Sequence, residues 1–88
     1  MDGKSAVDRA ADAYRAAMAA TLAAYRAAKP RDVVDALADM AYDAALVWSK
    51  LAGDAVAADN TPATRKASAV ADSAIWNALG VGGGKGKR

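Results

Sequence analysis

The sequence predicts an all-α protein: an antiparallel helical hairpin joined by a third helix, an up-down-up three-helix bundle, followed by a flexible basic tail. Pro30 and the segment "ADNTPAT" (58–64) divide the chain into three long segments. Apolar residues recur in each segment with helical spacing, and no stretch alternates as a strand would. We therefore assign residues 1–80 to one alanine-rich helical domain and residues 81–88 to a Gly/Lys/Arg tail.

The first helix is predicted over residues 5–29, with Ser5 as its N-cap and Pro30 closing it. The string "AYRAA" occurs twice in it, eleven residues apart, which is close to three helical turns. Tyr14 and Tyr25 therefore share one line, and Arg15 and Arg26 lie beside it. The apolar stripe consists of Val7, Ala11, Tyr14, Met18, Leu22 and Tyr25.

The second helix is predicted over residues 32–58, with Asp32 as its N-cap. Folding the chain back at Pro30 places its stripe against that of the first helix, with Tyr14 opposite Val47 and Trp48, and Tyr25 opposite Leu37. This stripe consists of Val33, Leu37, Met40, Ala44, Val47, Trp48, Leu51 and Ala55.

The third helix is predicted over residues 62–79, because Thr61 and Pro62 form a strong start signal and Gly80 is a natural stop. It is expected to cover a second side of the second helix, pairing Tyr42 with Leu79 and Leu46 with Ile75. Gly53 would then mark a close approach to Ser68. The alternative is that Tyr42 and Leu46 form an oligomer contact while the third helix projects toward a neighbour.

Composition argues against catalysis. The chain has neither Cys nor His, which removes thiolate ligands and the usual general base near neutral pH. We predict no catalytic residue, cofactor site or metal site. The acidic line of Asp35, Asp39 and Asp43 is interpreted as a solvated helix face, since a straight helix cannot wrap carboxylates around a cation.

Association is the expected mode of action. Alanine supplies 27 of the 88 residues, so few large side chains remain to build a core. The segment "SAIWNALGV" (73–81) also places large apolar residues on more than one side of the last helix. The predicted partner interface consists of Tyr42, Leu46, Ile75, Trp76 and Leu79.

The basic residues suggest a second type of partner. The tail carries three cations within its last four residues, and two more open the third helix. Such groups could neutralise phosphates, although no aromatic residue lies between the tail cations to stack on bases. The predicted phosphate contacts are Arg65, Lys66, Lys85, Lys87 and Arg88.

We expect a small non-catalytic protein that associates with itself or another protein, as an adaptor or a subunit of a virion, filament or secretion assembly. One alternative is a nucleic-acid-associated protein that uses the basic tail; another is an inhibitor or regulator that presents the acidic helix face. The uncharged run Ala16–Tyr25 is too short to span a bilayer. Because Asp8 and Asp12 precede this run, it does not resemble a signal peptide, which favours a cytoplasmic or particle-bound location.

Overall fold

The computed structural model describes residues 5–82, with side chains as far as Gly80. Three helices make up this part of the chain: α1 (Ala6–Arg26), α2 (Arg31–Ala58) and α3 (Pro62–Gly82). No strand occurs among the described residues, so the all-α prediction is confirmed.

Two of the three predicted helix starts are confirmed by their hydrogen bonds. Ser5 Oγ accepts from the Asp8 backbone N–H at 3.1 Å. Thr61 Oγ1 accepts from the Thr64 N–H at 3.1 Å, and Thr64 Oγ1 accepts from the Thr61 N–H at 3.0 Å. This reciprocal pair follows the capping-box pattern with threonine in both roles.

The predicted cap of the second helix is wrong. Pro30 occupies the N-cap position without a side-chain hydrogen bond, and Asp32 lies inside the first turn. Its carboxylate is still well placed there, because the N-terminal end of a helix dipole favours negative charge.

The ends of α1 and α3 also differ from the prediction. α1 ends at Arg26, and its last carbonyls accept from two following amides: Ala28 N–H bonds Tyr25 O, and Lys29 N–H bonds Ala24 O. This is a Schellman motif, and it holds Ala28 at a φ of 57°, a region that normally favours glycine. α3 does not stop at Gly80 but continues to Gly82.

α2 is the central helix, and α1 and α3 each pack along it while touching each other at few points. The result is a thin molecule, 43 Å long, 34 Å wide and 15 Å thick. Within residues 5–82, none of the helices combines the length and apolar character needed to cross a bilayer.

The core consists mainly of alanine. Among the described side chains, thirteen apolar residues are buried: ten alanines, Val34 and two large aromatic residues, Tyr14 and Trp48. The buried alanines are Ala10, Ala11, Ala24, Ala38, Ala41, Ala45, Ala52, Ala71, Ala74 and Ala78. Small side chains at a contact let helix axes approach closely, which offsets the small area that each alanine buries.

Several large residues of the predicted stripes are not in this core. Tyr25, Val33, Met40 and Val47 are exposed. The helices therefore meet along the alanine-rich line beside the predicted stripe rather than along the stripe itself. The size of the side chains explains this position of the contact, because α1 and α2 pack most closely where both helices present small side chains.

The expected close approach at Gly53 is also wrong. A Cβ atom built on Gly53 would meet no atom within 4 Å, so the helix surface is open at that point. Gly53 therefore has no packing role among the described residues, and its cost to helix stability is not offset by a tight contact.

Candidate interaction site

Tyr14 and Trp48 join α1 to α2 at the centre of the molecule. Their ring centroids lie 5.6 Å apart with an interplanar angle of 39°, a favourable geometry for aromatic rings. Burial raises the pKa of the Tyr14 hydroxyl above 10.0, and a hydrogen bond with the Asn77 side chain of α3 partly offsets that rise. Tyr14 thus contacts both other helices. Its predicted contact with Trp48 is confirmed, whereas Val47, the other predicted neighbour, is exposed.

Arg15 extends this cluster toward solvent. Its guanidinium carbon lies 5.6 Å from the centroid of a Trp48 ring, within range of a cation–π interaction. Its Nη1 atom lies 3.3 Å from Asp12 Oδ1, one turn earlier on α1. The prediction that Arg15 lines the edge of the seam near an acidic group is consistent with this geometry.

An open cleft of about 520 Å³ lies between the N-terminal halves of α1 and α3. We call it the α1/α3 cleft. Trp48 of α2 contributes to its lining, and apolar side chains make up most of the rest. The remaining lining residues are Val7, Asp8, Ala11, Asp12, Arg15, Ala63, Lys66, Ala67 and Val70.

Four of the ten residues that line this cleft are charged. Asp12 and Arg15 pair with each other on the α1 side. Asp8 also lies on the α1 side, and Lys66 lies on the α3 side. The charged lining therefore consists of two aspartates and two cations, beside apolar side chains.

The five residues of the predicted partner interface differ in their exposure. Trp76 is 73% exposed and Leu46 is 41% exposed. Tyr42 and Ile75 are partly buried against the core, and Leu79 is partly buried as well. We call this set of five residues the Trp76 patch.

One hydrogen bond joins α2 to α3 near the patch residues in sequence. Ser49 Oγ donates to Asp72 Oδ1 at 2.5 Å. Leu46 lies three residues before Ser49 on α2, and Ile75 lies three residues after Asp72 on α3.

The cations predicted to contact phosphate do not form one site in the described part of the chain. Arg65 Nη1 donates to Asn60 Oδ1 at 2.5 Å, whereas Lys66 lines the α1/α3 cleft. Consecutive helical residues point about 100° apart, so these two side chains diverge. Lys85, Lys87 and Arg88 lie outside the described residues.

The acidic line of α2 lies largely on the surface. Asp39 and Asp43 are exposed, and Asp35 Oδ1 lies 3.0 Å from Arg31 Nε. Within residues 5–82, no three potential metal ligands are grouped closely enough to hold an ion. This face therefore presents negative charge on the surface of α2.

The α1/α3 cleft was not anticipated from sequence. Its lining comes from all three helices, and its existence depends on how far α1 and α3 diverge, which no local pattern encodes. Arg15 and Trp48 were each identified, but as members of a two-helix seam.

Comparison of the chain with protein-family models, with curated proteins and with solved structures gives no match.

Proposed function

We propose that the protein acts by protein–protein association through the Trp76 patch, as a subunit of a larger assembly, and that another copy of the chain is a partner. The observation that carries this proposal is the 73% exposure of Trp76, together with the exposure of Leu46. Trp76 is one of two tryptophans in the chain, and its exposed indole leaves a large apolar surface in contact with water. Aromatic residues contribute much of the binding energy of protein interfaces. Burying such a patch on a partner would recover that hydrophobic free energy.

We further infer that the helices run up, down and up. The α1/α3 cleft brings together the first turns of α1, the first turns of α3 and Trp48 in the second half of α2. An up-down-up order would produce this arrangement, because α1 and α3 would then start at the same end of the molecule. The Trp76 patch then faces away from α1, on the α2/α3 side.

The core composition supports the same proposal. With ten alanines buried and two large aromatic residues beside them, the monomer withdraws little apolar area per residue from water. Small domains of this size have little excess core to spare. An apolar surface that becomes buried between copies would add to the stability of the folded chain.

Light scattering on matched aromatic variants tests this proposal. Trp76→Ala is compared with Tyr25→Ala, because Tyr25 is also an exposed aromatic residue (63%) but lies outside the patch. We expect the wild type and Tyr25→Ala to associate equally, with masses above the 8.9 kDa of one chain, and Trp76→Ala to remain near that mass. Equal association of all three proteins would show that the Trp76 patch is not the interface.

A further inference from the structure

We infer that α3 is an exchangeable helix: the α3 of one copy can leave its own α1–α2 hairpin and pack on the α2 of a second copy. The receiving surface is the side of α2 that carries Ser49, whose Oγ donates to Asp72 of α3. The structure itself shows what occupies this surface, because α3 lies along α2 within one chain. The α3 of a second copy has the same sequence and therefore the same fit. This inference does not depend on the Trp76 patch.

Small side chains hold α3 in place. α3 packs along α2 and touches α1 at few points. Its buried residues are Ala71, Ala74 and Ala78, whereas Ile75 and Leu79 are partly buried. Because hydrophobic stabilisation scales with the apolar area withdrawn from water, alanines stabilise this contact less than large side chains would. Segments with few buried apolar contacts open at a lower free energy than the rest of a fold, so we expect α3 to open first.

The α1–α2 hairpin keeps contacts of its own when α3 is away. The rings of Tyr14 and Trp48 join α1 to α2, with their centroids 5.6 Å apart. Thr21 of α1 and Val34 of α2 are also buried, on either side of the turn in sequence. An opened chain therefore retains a hairpin on which the α3 of another copy can pack.

The connection between α2 and α3 is short. α2 ends at Ala58 and α3 begins at Pro62, which leaves three residues, 59–61, between them. The bonds that start α3 lie within Thr61 and Thr64, so the helix keeps its cap when it moves. Pro62 prevents the two helices from merging into one straight helix. Short hinge loops favour exchange between copies, because a connection that closes tightly within one chain is relaxed between two.

The contacts of α3 are the same in the monomer and in the exchanged dimer. The hydrogen bonds from Ser49 to Asp72 and between Tyr14 and Asn77 would form between chains instead of within one. The equilibrium therefore depends on the connection and on how strongly a chain's own α3 competes. A short connection gives that α3 an effective concentration of about millimolar or more. The exchanged dimer is thus a minor species at micromolar concentration, and an irreversible crosslink accumulates it.

Crosslinking between two cysteine variants tests the inference. The chain has no native cysteine, so each introduced thiol is unique. Ser49→Cys is mixed with Asp72→Cys, both also carrying Trp76→Ala to remove the proposed interface, and a short bismaleimide is added. We expect a covalent heterodimer, because exchange places residue 72 of one chain beside residue 49 of the other.

Lys50→Cys mixed with Asp72→Cys, in the same Trp76→Ala background, is the matched control. Lys50 is exposed and follows Ser49 directly, but consecutive helical residues point about 100° apart. The control pair should give less heterodimer than the first pair. Equal yields from the two pairs, or no heterodimer from the first pair, would show that α3 does not exchange.

The length of the connection provides a second measurement that needs no cysteine. Deletion of Asn60, again with Trp76→Ala, leaves two residues between the helices and hinders docking of α3 within one chain. It should strengthen dimerisation at least about tenfold in sedimentation equilibrium. Insertion of Gly-Ser-Gly-Ser after Asn60 should weaken it, because a longer connection closes within one chain more easily. Equal dimerisation of the two variants would contradict exchange.

Two patterns distinguish the failure of this inference from the failure of the proposed function. If the wild type associates, Trp76→Ala is monomeric and the Ser49/Asp72 cysteine pair gives no heterodimer, the Trp76 patch is an interface and α3 does not exchange. If that pair gives heterodimer while the wild type and Trp76→Ala associate equally, α3 exchanges and the Trp76 patch is not the interface.

Discussion

The two copies of "AYRAA" have the same local sequence and both tyrosines lie in α1, yet the tyrosines have opposite environments. Tyr14 is 8% exposed and contacts Trp48, whereas Tyr25 is 63% exposed. Local sequence therefore does not determine burial here. The difference lies in what surrounds each position on the other helices.

Tyr14 lies where all three helices meet, between Trp48 of α2 and Asn77 of α3. Tyr25 lies near the α1–α2 turn, where the buried residues are small or β-branched: Thr21, Ala24, Val34 and Ala38. The fully buried Thr21 hydroxyl donates to the Ala17 carbonyl at 2.8 Å, so it needs no partner from another helix.

In the proposed up-down-up arrangement, the third helix would end before the level of Tyr25. From the Ser49–Asp72 contact, α3 continues for ten residues to Gly82, about 15 Å. α2 extends from the same contact back to Arg31, about 27 Å. The turn end of the hairpin would then be a two-helix region, which offers Tyr25 no third helix to pack against.

The largest predicted effect separates these two tyrosines directly. Tyr14→Ala should lower the free energy of unfolding by about 3–5 kcal/mol, because it removes a large buried ring from a close-packed site. Tyr25→Ala should change it by no more than about 0.5 kcal/mol, since its ring is largely in solvent. Urea denaturation followed by circular dichroism measures both values, and equal losses would contradict the assigned difference in burial.

A smaller effect is expected at the turn end itself. Ala28 holds a φ of 57°, whereas its neighbour Ala27 has a φ of −80°. Ala28→Gly should stabilise the protein by about 1 kcal/mol, because glycine avoids the strain of the left-handed conformation. Ala27→Gly is the control and should not stabilise it. Thermal melts of the two variants make the comparison, and stabilisation by both or by neither would argue against this turn geometry.

The smallest effect concerns pH. Because burial raises the pKa of Tyr14 above 10.0, its phenolate forms more readily in the unfolded chain. The contribution of Tyr14 to stability is therefore full below pH 10.0 and decreases as the pH rises from there through the folded-state pKa. Urea midpoints at about pH 9 and about pH 11 measure this loss.

Two conservative variants isolate the Tyr14 contribution from the other groups that titrate in this range. Tyr14→Phe should lose less stability than the wild type between the two pH values. Tyr25→Phe is the control for an exposed ring and should behave as the wild type does. A Tyr14→Phe variant with the wild-type pH dependence would show that Tyr14 does not titrate differently in the folded chain.

Sequence reasoning succeeded where the determinant is local. The caps at Ser5 and Thr61 follow from side chains three residues or fewer from the bonds that they make. The Tyr14–Trp48 contact was also predictable, because a short turn fixes the register of a hairpin.

Sequence reasoning failed where the choice lay between two adjacent helix faces. Met40 and Val47 belong to a stripe of large apolar residues, whereas Ala41 and Ala45 lie next to them on the neighbouring line. The greater hydrophobicity of the large side chains predicts that they are buried. In the structure the alanines are buried instead, because small side chains allow the helices to pack closely. The apolar residues of the Trp76 patch could be named from the sequence, because naming them did not require a decision between two adjacent helix faces.

The central claim of association through the Trp76 patch is tested most directly by the weight-average mass of the wild type, measured by sedimentation across a micromolar to millimolar concentration series. We expect a mass that rises from 8.9 kDa with concentration. A mass of 8.9 kDa at every concentration would contradict the claim.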